Sequence, residues 1–167
     1  MTGKMLLRLA FAAVLILQIG LLLAVIVPKE RTLATGEEIV LQTVPVDPRD
    51  LFRGEYVNLR YTISTVQSYV SFEAGDRVYV GLTQRGDIWD AQSASHSPPD
   101  GLYIKGRVTS AGDRSLDVEY GIESYFVPEG TGYIIEQASD VKVRVAIDSS
   151  GNAVIKGLLV DGEPFKP

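Results

Sequence analysis

Nineteen consecutive residues, Leu9 to Val27, carry no charge and a single polar side chain, Gln18. As a helix rising about 1.5 Å per residue, the run spans about 28 Å, close to the hydrocarbon thickness of a bilayer. In hydrocarbon only helices and closed barrels pair all of their backbone groups, so the run is predicted to be a transmembrane helix. A cleaved signal peptide has a shorter apolar core ending at small residues. This run ends AVIVPKE, which favours an uncleaved anchor. Lys4 and Arg8 precede it, and Lys29 and Arg31 follow it. With the α-amino group, that slight bias puts the N-terminus in the cytoplasm and the bulk of the chain outside. The expected organisation is a short cytoplasmic tail (1–8), an anchor (9–27), a polar connector (28–36) and an extracytoplasmic domain (37–167). Pro28, which supplies no backbone donor, is expected to end the helix. The chain is thus read as a single-pass protein of the cell membrane, held in the lipid bilayer through residues 9–27.

All 21 acidic residues lie after Val27, against 14 basic ones, so the part from Pro28 onward carries a net charge of −7. Such a domain repels phosphate backbones, and nucleic acid is not an expected partner. The chain has no cysteine and one histidine, His96. That excludes disulfides, thiolate nucleophiles and metal sites built from cysteines or from several imidazoles. No phosphate-cradling glycine loop is present, and no cofactor is expected.

Beyond residue 36 the pattern is strand-like nearly throughout. EIVLQTVPV (38–46) is rich in β-branched residues. YVNLRYTIS (56–64) alternates, with Val57, Leu59, Tyr61 and Ile63 on one face. RVYVGLTQ (77–84) follows the turn at Gly75-Asp76, and IWDAQ (88–92) follows Arg85-Gly86-Asp87. SASHSPPDG (93–101) reads as a loop that leaves His96 in solvent. Residues 102–110 and 115–120 read as a hairpin, 122–127 as a strand, and 131–139 as one short helix. VKVRVAI (141–147), the turn DSSGN and VIKGLLV (154–160) form a last hairpin. Short strands with turns at this spacing predict an all-β domain, an antiparallel sandwich or a barrel-like fold, after one N-terminal transmembrane helix.

Before the alternating stretch comes a charged turn, DPRDLFRGE (47–55). Asp47 and Pro48 suit a helix start, Leu51 and Phe52 would pack inward, and Gly54 can close the turn in the left-handed region. Arg49, Asp50, Arg53 and Glu55 then crowd together, which favours mutual pairing or an external partner. Arg53, Glu55 and Tyr56 suit either a turn-locking network or a recognition surface, since exposed Arg and Tyr are typical interface anchors. Asp47, Asp50 and Glu55 lack the spacing of a calcium loop. YFVPEGTGY (125–133), with Pro128, Glu129 and Gly130, reads as a packed loop or a contact rim.

At these residues the chain resembles the GDYXXLXY family. GEYVNLRY (54–61) matches its signature at Gly54, Tyr56, Leu59 and Tyr61, with Glu55 where the signature has Asp. PVDPRDLFR (45–53), YGIESYFVPEGTG (120–132) and VIKGLLVDGEP (154–164) are also similar to the family. The resemblance implies a bacterial or archaeal membrane-anchored protein of unknown activity that accompanies multi-pass membrane proteins. The function expected is a binding or accessory module, not an enzyme, working beside such a partner. An envelope hydrolase or small-ligand binder using the turn at 47–56 is the alternative. Tyr61, on the face of Val57, Leu59 and Ile63, is expected in the core.

Overall fold

The computed structural model of the chain describes residues 3–44, 56–128, 131, 134–135 and 137–166. Its first element is α1 (Gly3–Thr35), a 33-residue helix that contains the whole apolar run. Apolar side chains point outward all round it; Phe11 and Ile16 are 71% and 70% exposed. A helix apolar on every side needs surroundings as apolar as itself. By length and composition α1 can cross a membrane, as an anchor or a signal sequence would.

Pro28 does not end this helix; it lies inside it. The ring removes one backbone hydrogen bond, but the turns that follow are held from the side. The Thr32 hydroxyl lies 3.0 Å from the Pro28 carbonyl oxygen and 3.1 Å from Asp148 Oδ2, an acceptor outside the helix. The Thr35 hydroxyl donates to the Arg31 carbonyl at 2.9 Å. Thr32 is buried, at 3% exposure. The stretch expected to be a connector is therefore helix as far as Thr35. The stop comes at Gly36, whose N–H donates to the Thr32 carbonyl at 2.9 Å. A Cβ at Gly36 would lie 2.5 Å from the Thr32 carbonyl oxygen and 3.0 Å from that of Ile147. Only glycine lets the chain pass between the helix end and the sheet.

The strands are β1 (Glu37–Val44), β2 (Tyr56–Asn58), β3 (Arg60–Tyr61), β4 (Thr65–Gln67), β5 (Arg77–Arg85), β6 (Ile88–Ser95), β7 (Tyr103–Ala111), β8 (Ser115–Glu119), β9 (Ser124–Phe126), β10 (Val141–Ile147), β11 (Ala153–Val160) and β12 (Glu163–Pro164). Ten of them form one sheet in the order β12-β11-β10-β1-β6-β5-β7-β8-β4, with β3 on β1; β2 and β9 form a separate ribbon. The domain is all-β, as expected. The sheet is mixed rather than wholly antiparallel: β1 meets β6 in parallel, with Leu41 opposite Trp89. Its end strands β12 and β4 do not pair with each other, so among the described residues no barrel closes. Bulges at Gly81/Leu82, Val108/Ser110 and Arg144/Val145 shift the register. Bulges bend and twist a sheet. The inward residues of β1, β5, β7, β8, β10 and β11 gather in one core that includes Leu41, Val80, Ile104, Leu116, Val143 and Leu158.

Both predicted hairpins form, β7–β8 and β10–β11. Two expectations are revised. The strand after Gly86 runs on to Ser95, because Ser93–Ser95 still pair with Tyr79–Gly81 of β5. Residues 56–64 are not one strand but β2, β3 and a single 3-10 turn, Thr62–Ser64. Each piece has a different neighbour: β2 pairs with β9 and β3 with β1. The alternation survives the bends, since Val57, Leu59, Tyr61 and Ile63 are all buried. In the segment expected to be a short helix, residues 134 and 135 are helical.

Candidate functional site

Of the residues singled out in the sequence, Asp47, Arg49, Asp50, Arg53, Gly54, Glu55, Glu129 and Gly130 lie outside the described residues. Tyr56, Leu59, Tyr61 and Pro128 lie within them, and the first three converge on one neighbour, the segment from Tyr120 to Phe126. Tyr56 opens β2 directly opposite Phe126 of β9. Their rings meet edge to face, centroids 6.1 Å apart at 61°. Leu59 is in the core, and its N–H donates to the Glu123 carbonyl at 2.6 Å. Tyr61, 1% exposed, donates its hydroxyl to the Ile122 carbonyl. The reverse bond also exists: the Tyr120 hydroxyl donates to the carbonyl of Ile63. Two tyrosines thus clasp the two segments reciprocally, each satisfying a buried carbonyl on the other side.

A model of the GDYXXLXY protein family matches residues 18–158. The chain belongs to that family. No curated protein and no solved structure matches it.

In this GDYXXLXY protein the letters of the signature do different work. Leu59 and Tyr61 are buried in the core, whereas Tyr56 is half-buried on the ribbon, against Phe126. The second stretch that resembles the family, from Tyr120, is the surface on which the signature closes. Glu123 fixes its geometry: one carboxylate oxygen accepts from Tyr120 N–H at 2.6 Å, the other from Gly121 N–H at 2.8 Å. Gly121, at φ +80°, makes the turn that brings both donors onto that carboxylate. Burial, and secondly the Glu123 charge, push both tyrosine hydroxyls well above their ordinary range. Held protonated and already bonded, neither suits the role of base or nucleophile.

Outside this clasp the ribbon carries an apolar side chain that its own fold does not cover. Phe126 is 74% exposed, while its neighbour Val127 is buried. Sequence reasoning placed the contact surface on Arg53, Glu55 and Tyr56 with the loop from Pro128 to Tyr133; it included Phe126 only within the stretch YFVPEGTGY and did not single out Tyr120 or Glu123. Pro128 is exposed, and its carbonyl accepts from the Thr131 hydroxyl at 2.7 Å.

His96 is exposed, as expected, but not idle. It stacks on Phe72 with centroids 4.0 Å apart, and its Nε2 lies 3.0 Å from the Ser71 carbonyl oxygen. The ring pins the end of β6 to the segment before β5. Gly75, at φ +97°, forms the expected turn into β5. Among the described residues no group of three His, Asp or Glu side chains is placed to hold a metal ion.

Proposed function

We propose that the protein is a membrane-anchored binding module whose β domain lies outside the cytoplasm and docks onto a multi-pass membrane protein beside it. The observation that carries this reading is Phe126, an exposed ring on a ribbon whose backbone is fixed by the tyrosine clasp and by Tyr56. Aromatic side chains held rigidly at a surface are the usual energetic anchors of protein contacts. The helix supports it: a tethered domain samples a thin layer, which raises its effective concentration towards membrane neighbours. The α-amino group together with Lys4 and Arg8, against Lys29 and Arg31 on the far flank, supplies the slight positive bias that favours a cytoplasmic N-terminus.

The test is in-cell crosslinking from a photoreactive residue at position 126 of the full chain, followed by mass spectrometry. One dominant membrane protein is expected. Phe126→Ala should remove its co-purification without lowering the unfolding midpoint, because the ring is mostly in solvent. Undiminished co-purification of that partner by Phe126→Ala, or crosslinks to no membrane protein, defeats the proposal.

A further inference from the structure

Where α1 meets the domain there is a crevice of about 450 Å³, lined by Val27, Pro28, Arg31, Thr35 and the β10–β11 turn at Asp148–Ser150. One wall is a single helix face: Val27, Arg31 and Thr35 are spaced four residues apart. Val27 is the last residue of the apolar run, so the crevice opens at the level where hydrocarbon gives way to headgroups. Gly20, two turns before Val27 on the same face, has nothing within 4 Å of where a Cβ would be. An acyl chain could lie along that face without obstruction.

The opposite wall is rigid. Asp148 Oδ1 accepts from the N–H groups of Ser150 and Asn152 at 2.8 and 3.0 Å. Oδ2 accepts from the Asn152 amide at 2.8 Å and from Thr32 at 3.1 Å. Burial by itself would raise the Asp148 carboxyl, but the Asn152, Ser150 and Thr32 donors outweigh it and hold the group below its usual range. Gly151, at φ +76°, sits against the Tyr103 ring, and Tyr103 donates its hydroxyl to the Ser149 carbonyl at 3.0 Å. Ser149 and Ser150 are thus exposed residues on an ordered turn that lines the crevice.

Arg31 is the basic side chain in this lining. In a domain of net −7, Arg60, Arg85, Lys142, Arg144 and Lys156 pair with carboxylates, while others, such as Arg77, Arg107 and Arg114, have no ion pair among the described residues. Arg31 forms no ion pair among the described residues, although Asp148, whose carboxylate accepts from four donors, lines the same crevice. A guanidinium without a carboxylate partner, sharing its crevice with two exposed serines and with Val27 and Pro28, is a donor set suited to a phosphodiester.

We propose that this crevice holds the headgroup of one phospholipid, its phosphate on Arg31 and the Ser149 and Ser150 hydroxyls, its acyl chains along α1 below Val27. The proposal rests on α1 being a membrane span. The test is native mass spectrometry of the full chain in mild detergent, titrated with phosphatidylglycerol. One retained lipid is expected, with Arg31→Gln weakening retention about tenfold, as loss of one charge-assisted contact does. Ser149→Ala/Ser150→Ala should weaken it less, and Arg85→Gln not at all. Equal retention by Arg31→Gln overturns the proposal, as does equal retention of diacylglycerol, which has no phosphate. Displacement of the lipid by millimolar inorganic phosphate would make this a free-anion site and also overturn it. Alkaline extraction of cell membranes separates the two readings. Release of the full chain defeats the anchor and the lipid site together, whereas retention combined with an indifferent Arg31→Gln defeats the lipid site alone.

Discussion

Removing one hydroxyl from the tyrosine clasp probes how the signature holds the fold. In Tyr120→Phe the Ile63 carbonyl loses its donor at a position that water does not reach, since Ile63 is 0% and Tyr120 7% exposed. A buried carbonyl left unpaired costs about 1–3 kcal/mol. Tyr61→Phe strands the Ile122 carbonyl and should cost a similar amount. The ring stays in both cases, so apolar burial is unchanged and the whole effect is the missing bond. The two bonds join the same pair of segments, so once one opens the other loses part of its value. The double variant should therefore cost less than the sum, by about 0.5 kcal/mol or more. The assay is urea unfolding of the full chain in mild detergent, read by the fluorescence of Trp89. It is the only tryptophan in the chain and packs against the core. The slope against urea should not change. If each single variant stays within about 0.5 kcal/mol of the parent, these carbonyls are solvated or re-paired and the clasp reasoning fails.

Three further outcomes follow from the same structure. Gly151→Ala must hold φ +76° and put a Cβ 2.6 Å from the Tyr103 ring; it should cost more than about 1 kcal/mol by the same unfolding assay. Thr32→Val keeps the shape but deletes the hydroxyl facing Asp148, so a spin label on the β10–β11 turn should become more mobile relative to α1, with a loss of about 1 kcal/mol. Because both clasp tyrosines are held above their ordinary range, the unfolded chain gives up those protons first. Stability from this source is therefore complete below about pH 10 and falls as pH rises further. Tyr61→Phe should flatten that alkaline loss, which a pH series of urea midpoints would show.

Alternation made the core legible: Val57, Leu59, Tyr61 and Ile63 point inward just as their spacing requires. It did not reveal that the stretch is two short strands, with Leu59 between them, and a 3-10 turn, because each bend keeps successive side chains on opposite sides. Both hairpins were readable from their turns, since Asp148 to Asn152 and Ala111 to Arg114 have turn chemistry of their own. Pro28 misled because its rule is local. One of the contacts that hold the helix beyond it comes from Asp148, 120 residues further on in the numbering. Likewise the signature could be read as a string, but not what it closes on. That Tyr61 meets Ile122 and Tyr120 meets Ile63 depends on strand order, which no periodicity encodes. Phe126 was hidden for the same reason, since exposure belongs to the packed molecule and not to the residue type.

If α1 spans a bilayer as proposed, the helix that runs unbroken through Pro28 to Thr35 also sets a gearing between bilayer and domain. With no slack joint, the β domain turns as α1 turns. One residue added between Val27 and Thr32 would swing the domain by about 100° and lift it about 1.5 Å. Phe126 would then face another quarter of the membrane surface. A chain anchored in this way would have a compass bearing, and the quarter towards which Phe126 points would be decided by the number of residues between the last apolar turn and the sheet.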